Sequence, residues 1–101
     1  MLVHIVCWKY RDAVDAASRA EHRRRLRALN GLVPGMRRLD IGEDVLHLER
    51  SFDTALLAEF DDLDSLESYN VHPDHQAVVA VGREIAARVM SVDFHREAGG
   101  A

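Results

Sequence analysis

Residues 2–9, Leu-Val-His-Ile-Val-Cys-Trp-Lys, form a short, nearly continuous apolar run rich in β-branched and aromatic types. Such a run reads as a β-strand covered on both faces, because a strand with one wet face shows polar side chains at every second position. His4, Val6 and Trp8 share one face, and Val3, Ile5 and Cys7 the other. Any fold built around this strand must bury two apolar surfaces, and a chain of 101 residues has few elements with which to cover them.

The elements that follow narrow the choice. Residues 13–30 are rich in Ala, Arg and Leu, which favour helix, and Asn30-Gly31 stops them. Pro34-Gly35 turns the chain into residues 36–42, where apolar and polar side chains alternate as on a half-exposed strand. Residues 43–51 are polar with Val45, Leu46 and Leu48 embedded, and read as a loop or irregular hairpin. Residues 52–60 form a third strand, with Thr54, Leu56, Ala58 and Phe60 opposite Ala55 and Leu57. Asp61-Asp62-Leu63-Asp64-Ser65 supplies capping groups for a short helix through Tyr69. The residue before a proline avoids helical backbone, so this helix breaks at His72. A second helix starts with Pro73 at its first position, where the missing N–H costs nothing, and runs to about residue 87. Residues 89–95 close the chain as a fourth strand.

The order β-α-β-β-α-β, with its last helix split, is that of the α+β ferredoxin-like fold, an antiparallel sheet with helices on one face. The second face stays apolar, and its simplest cover is another copy of the same sheet across a two-fold axis. The expectation is a homodimer whose sheets enclose a dimeric α+β barrel.

Composition excludes several classes. Residues 1–96 suffice for one domain, and residues 97–101 read as a disordered tail. A net charge of −4 argues against a general nucleic-acid binder. The opening apolar run is far too short to span a bilayer and lacks the flanks of a signal peptide. One cysteine, Cys7, forms no internal disulfide and points to the reducing cytoplasm, where a buried structural thiol is its ordinary role.

The segment Tyr69-Asn70-Val71-His72-Pro73-Asp74-His75 places a phenol and two imidazoles around a proline-fixed break. Histidine titrates near neutrality, so the set suits proton handling. With Pro73 first in its helix, His72 falls at the cap and His75 in the first turn. The positive helix end there favours a neutral imidazole, a general base or acceptor, while the charge of Asp74 works the other way. Tyr69, His75 and His4 are the candidate catalytic residues, and His72, Val6, Trp8, Thr54 and Leu56 the candidate ligand-binding ones. His4 is expected to stand across a cavity from Tyr69 and His75 if its face looks into the barrel. No set of residues completes a metal-ligand pattern, no Gly-rich phosphate loop is present, and no cofactor is expected. Arg19, Arg23, Arg24, Arg25, Arg27, Arg37 and Arg38 read as solvated surface paired with the chain's seventeen acids, with an anionic substrate such as a coenzyme A thioester as the rival reading.

Taken together, the chain resembles the stress-responsive A/B barrel family, Dabb, over nearly its whole length. The features are Val3-His4-Ile5-Val6, Val33-Pro34-Gly35 leading into residues 36–42, Glu59-Phe60-Asp61, Tyr69-x-x-His72-Pro73-x-His75, and Val92-Asp93-Phe94. The resemblance implies a dimeric α+β barrel. One plant member is a polyketide cyclase that closes a linear tetraketide coenzyme A thioester by aldol condensation. Its tyrosine and histidine are matched by Tyr69 and His75, and a strand histidine by His4. The resemblance thus implies that His75 removes a proton α to a carbonyl while Tyr69 hydrogen-bonds the developing charge. Thr54 stands where that cyclase has a further histidine, a departure from its pattern. Three readings stay open: a binder of a small, largely apolar ligand, aromatic or polyketide-like, in the barrel cavity; a cofactor-independent cyclase, isomerase or monooxygenase; and a non-catalytic structural or stress-response protein.

Overall fold

A computed structural model describes residues 1–97, and all but the first residue of the expected disordered tail lies outside them. The elements are β1 (Leu2–Tyr10), α1 (Ala16–Arg27), β2 (Met36–Glu43), β3 (Thr54–Phe60), α2 (Leu63–Val71), α3 (Pro73–Ile85) and β4 (Ala86–His95). The four strands form one antiparallel sheet in the order β2-β3-β1-β4, the ferredoxin-like arrangement. β1 lies inside, bonded to β3 on one side and β4 on the other, as its continuous apolar run requires.

Element ends differ from the sequence expectation for local reasons. α1 starts at the cap Asp15, whose carboxylate accepts from the Ser18 N–H at 2.8 Å, so residues 13–14 stay outside it. It ends at Arg27, beyond which Leu29 and Asn30 bond three residues back in tighter turns before Gly31 reverses the chain at φ 76°. β3 begins at Thr54 because Asp53 is engaged elsewhere: its N–H bonds the Trp8 carbonyl at 2.8 Å and its carboxylate accepts the Tyr10 N–H at 2.8 Å. β4 follows α3 with no loop, so its first residue is Ala86.

Register sorts the side chains. Leu2, His4, Val6 and Trp8 lie opposite Phe60, Ala58, Leu56 and Thr54, and this face carries the helices. The core there includes Leu2, Trp8, Leu26, Leu56, Phe60, Leu66 and Tyr69. On the other face Val3, Ile5 and Cys7 lie opposite Phe94, Val92 and Met90. No helix covers that face, and Met90, Val92 and Phe94 remain 47, 46 and 44% exposed in a single chain. It is a broad apolar surface of the kind that marks an interface. Glu59 sits among these residues, its charge met by Arg96 and Arg38.

The turn into β2 is fixed by Gly35. Its φ is +90°, and a Cβ there would stand 2.9 Å from the Ser65 Cβ and 2.2 Å from its Oγ. Gly31 also has positive φ but open space around it. Gly31→Ala is therefore expected to cost only the backbone term, about 1 kcal/mol, and Gly35→Ala clearly more because it adds a collision between β2 and α2. Urea denaturation of both variants checks the order; equal losses would mean that the Ser65 contact is soft.

Candidate functional site

The site grows from one break. His72 is at once the C-cap of α2 and the N-cap of α3, with φ −63° and ψ 133°. Pro73 imposes that extended backbone. The His72 N–H donates to the Tyr69 carbonyl at 3.2 Å, and its Nδ1 accepts from the Asp74 N–H at 3.1 Å. The last carbonyls of a helix have no donor within it. That of Asn70 is met from α3, by His75 Nδ1–H at 3.1 Å and by the Gln76 amide. A carbonyl only accepts, so the His75 proton is fixed on Nδ1 and Nε2 is left as a bare, proton-accepting nitrogen.

Tyr69, in the last turn of α2, is fully buried. Its ring lies 4.2 Å from that of His75, 5.3 Å from Phe60 and 6.4 Å from His4. Among the described residues its hydroxyl has no hydrogen-bond partner. Burial pushes the Tyr69 pKa up to about 12, so the phenol stays neutral and can donate. Burial also lowers the His75 pKa, and the nearby His4 and His72 add to this while the bond to Asn70 partly opposes it. His75 is therefore neutral at pH 7. His4, on β1, lies directly opposite Asp93 on β4, and its Nδ1 is hydrogen-bonded to the Asp93 carboxylate. The carboxylate fixes a proton on His4 Nδ1 as the Asn70 carbonyl does on His75.

These groups open on a cavity of about 350 Å³ between the sheet and the α2–α3 pair. Val6, Trp8 and Leu56 make its sheet-side floor, Val78 and Val79 its helix side, and Asn70, Arg83 and Ser91 its polar margin. No carboxylate is among its lining residues. The volume suits a small organic molecule, and the walls are mainly apolar with few polar groups.

The structure thus brings together Tyr69, His75, His4, Val6, Trp8 and Leu56, and leaves two expected residues out. His72 is occupied as a cap and is not among the residues lining the cavity. Thr54 is buried beside Tyr10, whose hydroxyl donates to Thr54 Oγ1 at 2.9 Å, and Arg23 donates to the same oxygen at 3.2 Å. The cavity's location also corrects the sequence expectation. It lies within one protomer, between its sheet and its own helices, and not in a space enclosed by two sheets. The helices cover the face carrying His4, so that face cannot look into the barrel.

Asp93, Asn70 and Arg83 are partners that residue type alone does not announce. Asp93 had a signal: Ser91, Asp93 and His95 are polar at period two, alternating with the apolar Met90, Val92 and Phe94, which places them on one face. Arg83 had one too, since His75, Val79 and Arg83 are spaced four apart on a single helix stripe. Asn70 had none, because its role rests on a backbone oxygen.

A second buried histidine lies behind the cavity. Tyr10 donates to Thr54, so its oxygen accepts from His22 Nδ1 at 2.7 Å. His22 is 1% exposed, and its burial, with the charge of Arg23, lowers its pKa to about 4. The unfolded chain binds this proton near pH 6.5, so the contribution is intact above that value and is lost as pH falls toward 4. His75 acts in the same direction. The melting temperature is expected to drop by about 5 °C or more between pH 7 and pH 5. His22→Gln, which can still donate to Tyr10, should show a clearly smaller drop; an unchanged pH slope in the variant would exclude His22 as the cause.

With this geometry established, comparison with known proteins places the chain. The stress responsive A/B barrel domain, Dabb, matches residues 2–96. An uncharacterized protein of Streptomyces coelicolor is 33% identical over 96 residues, covering 90% of this chain and 96% of its own. A dimeric ferredoxin-like protein of unknown function from Thermobifida fusca superposes with a TM-score of 0.87 at 25% identity, over 94% of this chain and 90% of that one. The hydroxynitrile lyase of Passiflora edulis superposes with a TM-score of 0.84 over 96% of this chain and 94% of its own; at 13% identity that likeness is one of fold alone. None of the helices among the described residues is long and apolar enough to cross a membrane.

Proposed function

Because the chain belongs to the stress-responsive A/B barrel family, we propose that it is a cytoplasmic homodimer in which each protomer binds a small, largely apolar carbonyl compound beneath the broken helix and moves a proton on it. The observation that carries this reading is the Tyr69 hydroxyl. A buried donor without an acceptor costs the folded state about 1–3 kcal/mol. Here that donor belongs to a ring 4.2 Å from His75, at a cavity large enough for a ligand. A ligand's carbonyl oxygen would supply the acceptor.

The chemistry follows from the protonation states. His75 Nε2, bare and neutral, takes a proton from the carbon next to the carbonyl. The electron pair left on that carbon delocalises onto the oxygen, and Tyr69 O–H donates to the oxygen as its charge grows. His4, held in one tautomer by Asp93, is a second proton relay at the far wall. Return of the proton to the same carbon gives exchange, or epimerisation at a stereocentre, and return to a conjugated neighbouring atom gives an isomerisation; attack of the carbanion on a second carbonyl of the ligand gives a cyclisation, the new alkoxide taking the proton held by His75. The hydroxynitrile lyase of like fold illustrates that this architecture hosts an enzyme, an argument by analogy of fold. The homodimer rests on the uncovered apolar face and on the dimeric state of similar structures.

The chain's single tryptophan, Trp8, lines the cavity and reports on its contents. With 2-decanone as probe, Trp8 emission is expected to change saturably, and the protein to accelerate exchange of the ketone's α-hydrogens in D2O, read by NMR. Tyr69→Phe should weaken binding while leaving the melting temperature equal or slightly higher, since it removes an unsatisfied donor. His75→Gln should abolish exchange. If Tyr69→Phe lowers stability and changes nothing else, Tyr69 is a packing residue and the reading fails.

Solution mass is expected to be that of two chains at micromolar concentration, and Val92→Asp, on the open face, to yield monomers. A monomeric wild-type protein would remove the dimer from the proposal and leave the cavity untouched.

A further inference from the structure

Among the described residues that line the cavity, Arg83 is the only Lys, Arg, Asp or Glu. Resting on the binding reading above, the geometry points to a ligand that is an apolar acid: a carbonyl at the Tyr69–His75 end and an anionic group, a carboxylate in the simplest case, at Arg83. Three observations carry this. The first is electrostatic: with Arg83 present and no carboxylate in the lining, the cavity favours an anion. The second is the state of Arg83 itself. Among the described residues it has no acidic partner, a state it shares with Arg11, Arg27, Arg50 and Arg88, and of these five it is the one that lines the cavity.

The third is dimension. His75, Val79 and Arg83 fall on one stripe of α3, and eight residues of helix rise about 12 Å. Val79, between them, lines the same cavity. The ligand is therefore elongated. Its ends are polar and its middle, roughly 10 Å of it, lies against Val6, Leu56 and Val79. The guanidinium fork matches a carboxylate with two parallel hydrogen bonds, and Ser91 stands on the same rim. Arg83 also sits in the last turn of α3, where a cation suits the helix dipole. That effect needs no ligand, so the test has to separate the two roles.

A matched pair of ligands does so: 9-oxodecanoate, with a ketone at one end and a carboxylate at the other, and 2-decanone, the same chain without the carboxylate. Both are titrated against the protein with Trp8 emission as readout. Wild type is expected to bind the keto acid about tenfold more tightly than the ketone, the size of one charge-assisted hydrogen bond. Arg83→Gln should erase that preference and leave ketone binding within twofold, while Arg83→Lys, which keeps the charge without the fork, should retain part of it. Added salt should weaken the keto acid selectively. If both ligands bind alike and Arg83→Gln changes neither, Arg83 serves only the helix end and the inference falls, with the cavity reading intact. If neither ligand moves Trp8 emission, the cavity reading itself fails. Should Arg83→Gln melt early, the salt dependence and the Arg83→Lys affinity in the folded protein still decide the point.

Discussion

β1 is hydrogen-bonded along both edges and apolar on both faces, and the rest of the molecule is arranged around that fact. A strand with both edges taken has a register set twice, once by each neighbour, and a slip of one residue would reverse every side chain. That double constraint puts Asp93 opposite His4 and Thr54 opposite Trp8. Because the helices cover only one face, the other face is left apolar. The site and the interface are thus opposite sides of the same strand. Neither can be moved without moving the other.

The His72-Pro73 break then decides what the covered face contains. A continuous helix from residue 63 to 85 would have satisfied Asn70 internally and carried Tyr69 and His75 along one rigid rod. The proline ends α2 with an unmet carbonyl, and His75 meets it. The bond that closes the helix junction is also the bond that fixes the tautomer, so a structural role for this histidine and a chemical one are not rivals. Gly82 lies at the close approach of α3 to the sheet and α1: a Cβ there would stand 3.1 Å from Trp8 Nε1 and 3.2 Å from His22 Nε2, so adding one would push these side chains by a few tenths of an ångström.

The fold was legible because strands and breaks are written locally: the apolar run of residues 2–9, Pro34-Gly35, and the residue before Pro73 each act within a few positions. Tyr69, His75 and His4 were legible as a set from type and from the resemblance that ordered them. What sequence did not reveal was which side of β1 the cavity occupies, because both sides are apolar and only the packed helices distinguish them. For the same reason Thr54, correctly on the face of Leu56, proved to be taken by Tyr10 and Arg23. His72 and His75 are equal by composition. They separate only through what each nitrogen bonds.

Of the three buried atoms without hydrogen-bond partners, Glu59 Oε1 is met by the charges of Arg38 and Arg96, and the other two, Tyr69 Oη and His22 Nε2, show why an unsatisfied group alone does not make a site. Both groups are fully enclosed, and burial shifts both pKa values toward the neutral form. Their surroundings differ. His22 Nε2 faces the backbone of Gly82 and the edge of Trp8, where even a methyl group would be crowded. Nothing can approach that nitrogen without parting α3 from the sheet, so its lone pair is a fixed cost of close packing. Tyr69 lies instead at the wall of a cavity, beside a histidine whose free nitrogen is basic. In the proposed complex the ligand's oxygen supplies the missing hydrogen bond of Tyr69, and the energy recovered goes into holding that oxygen in place. A place in the cavity wall, more than burial or pKa, is what separates the two.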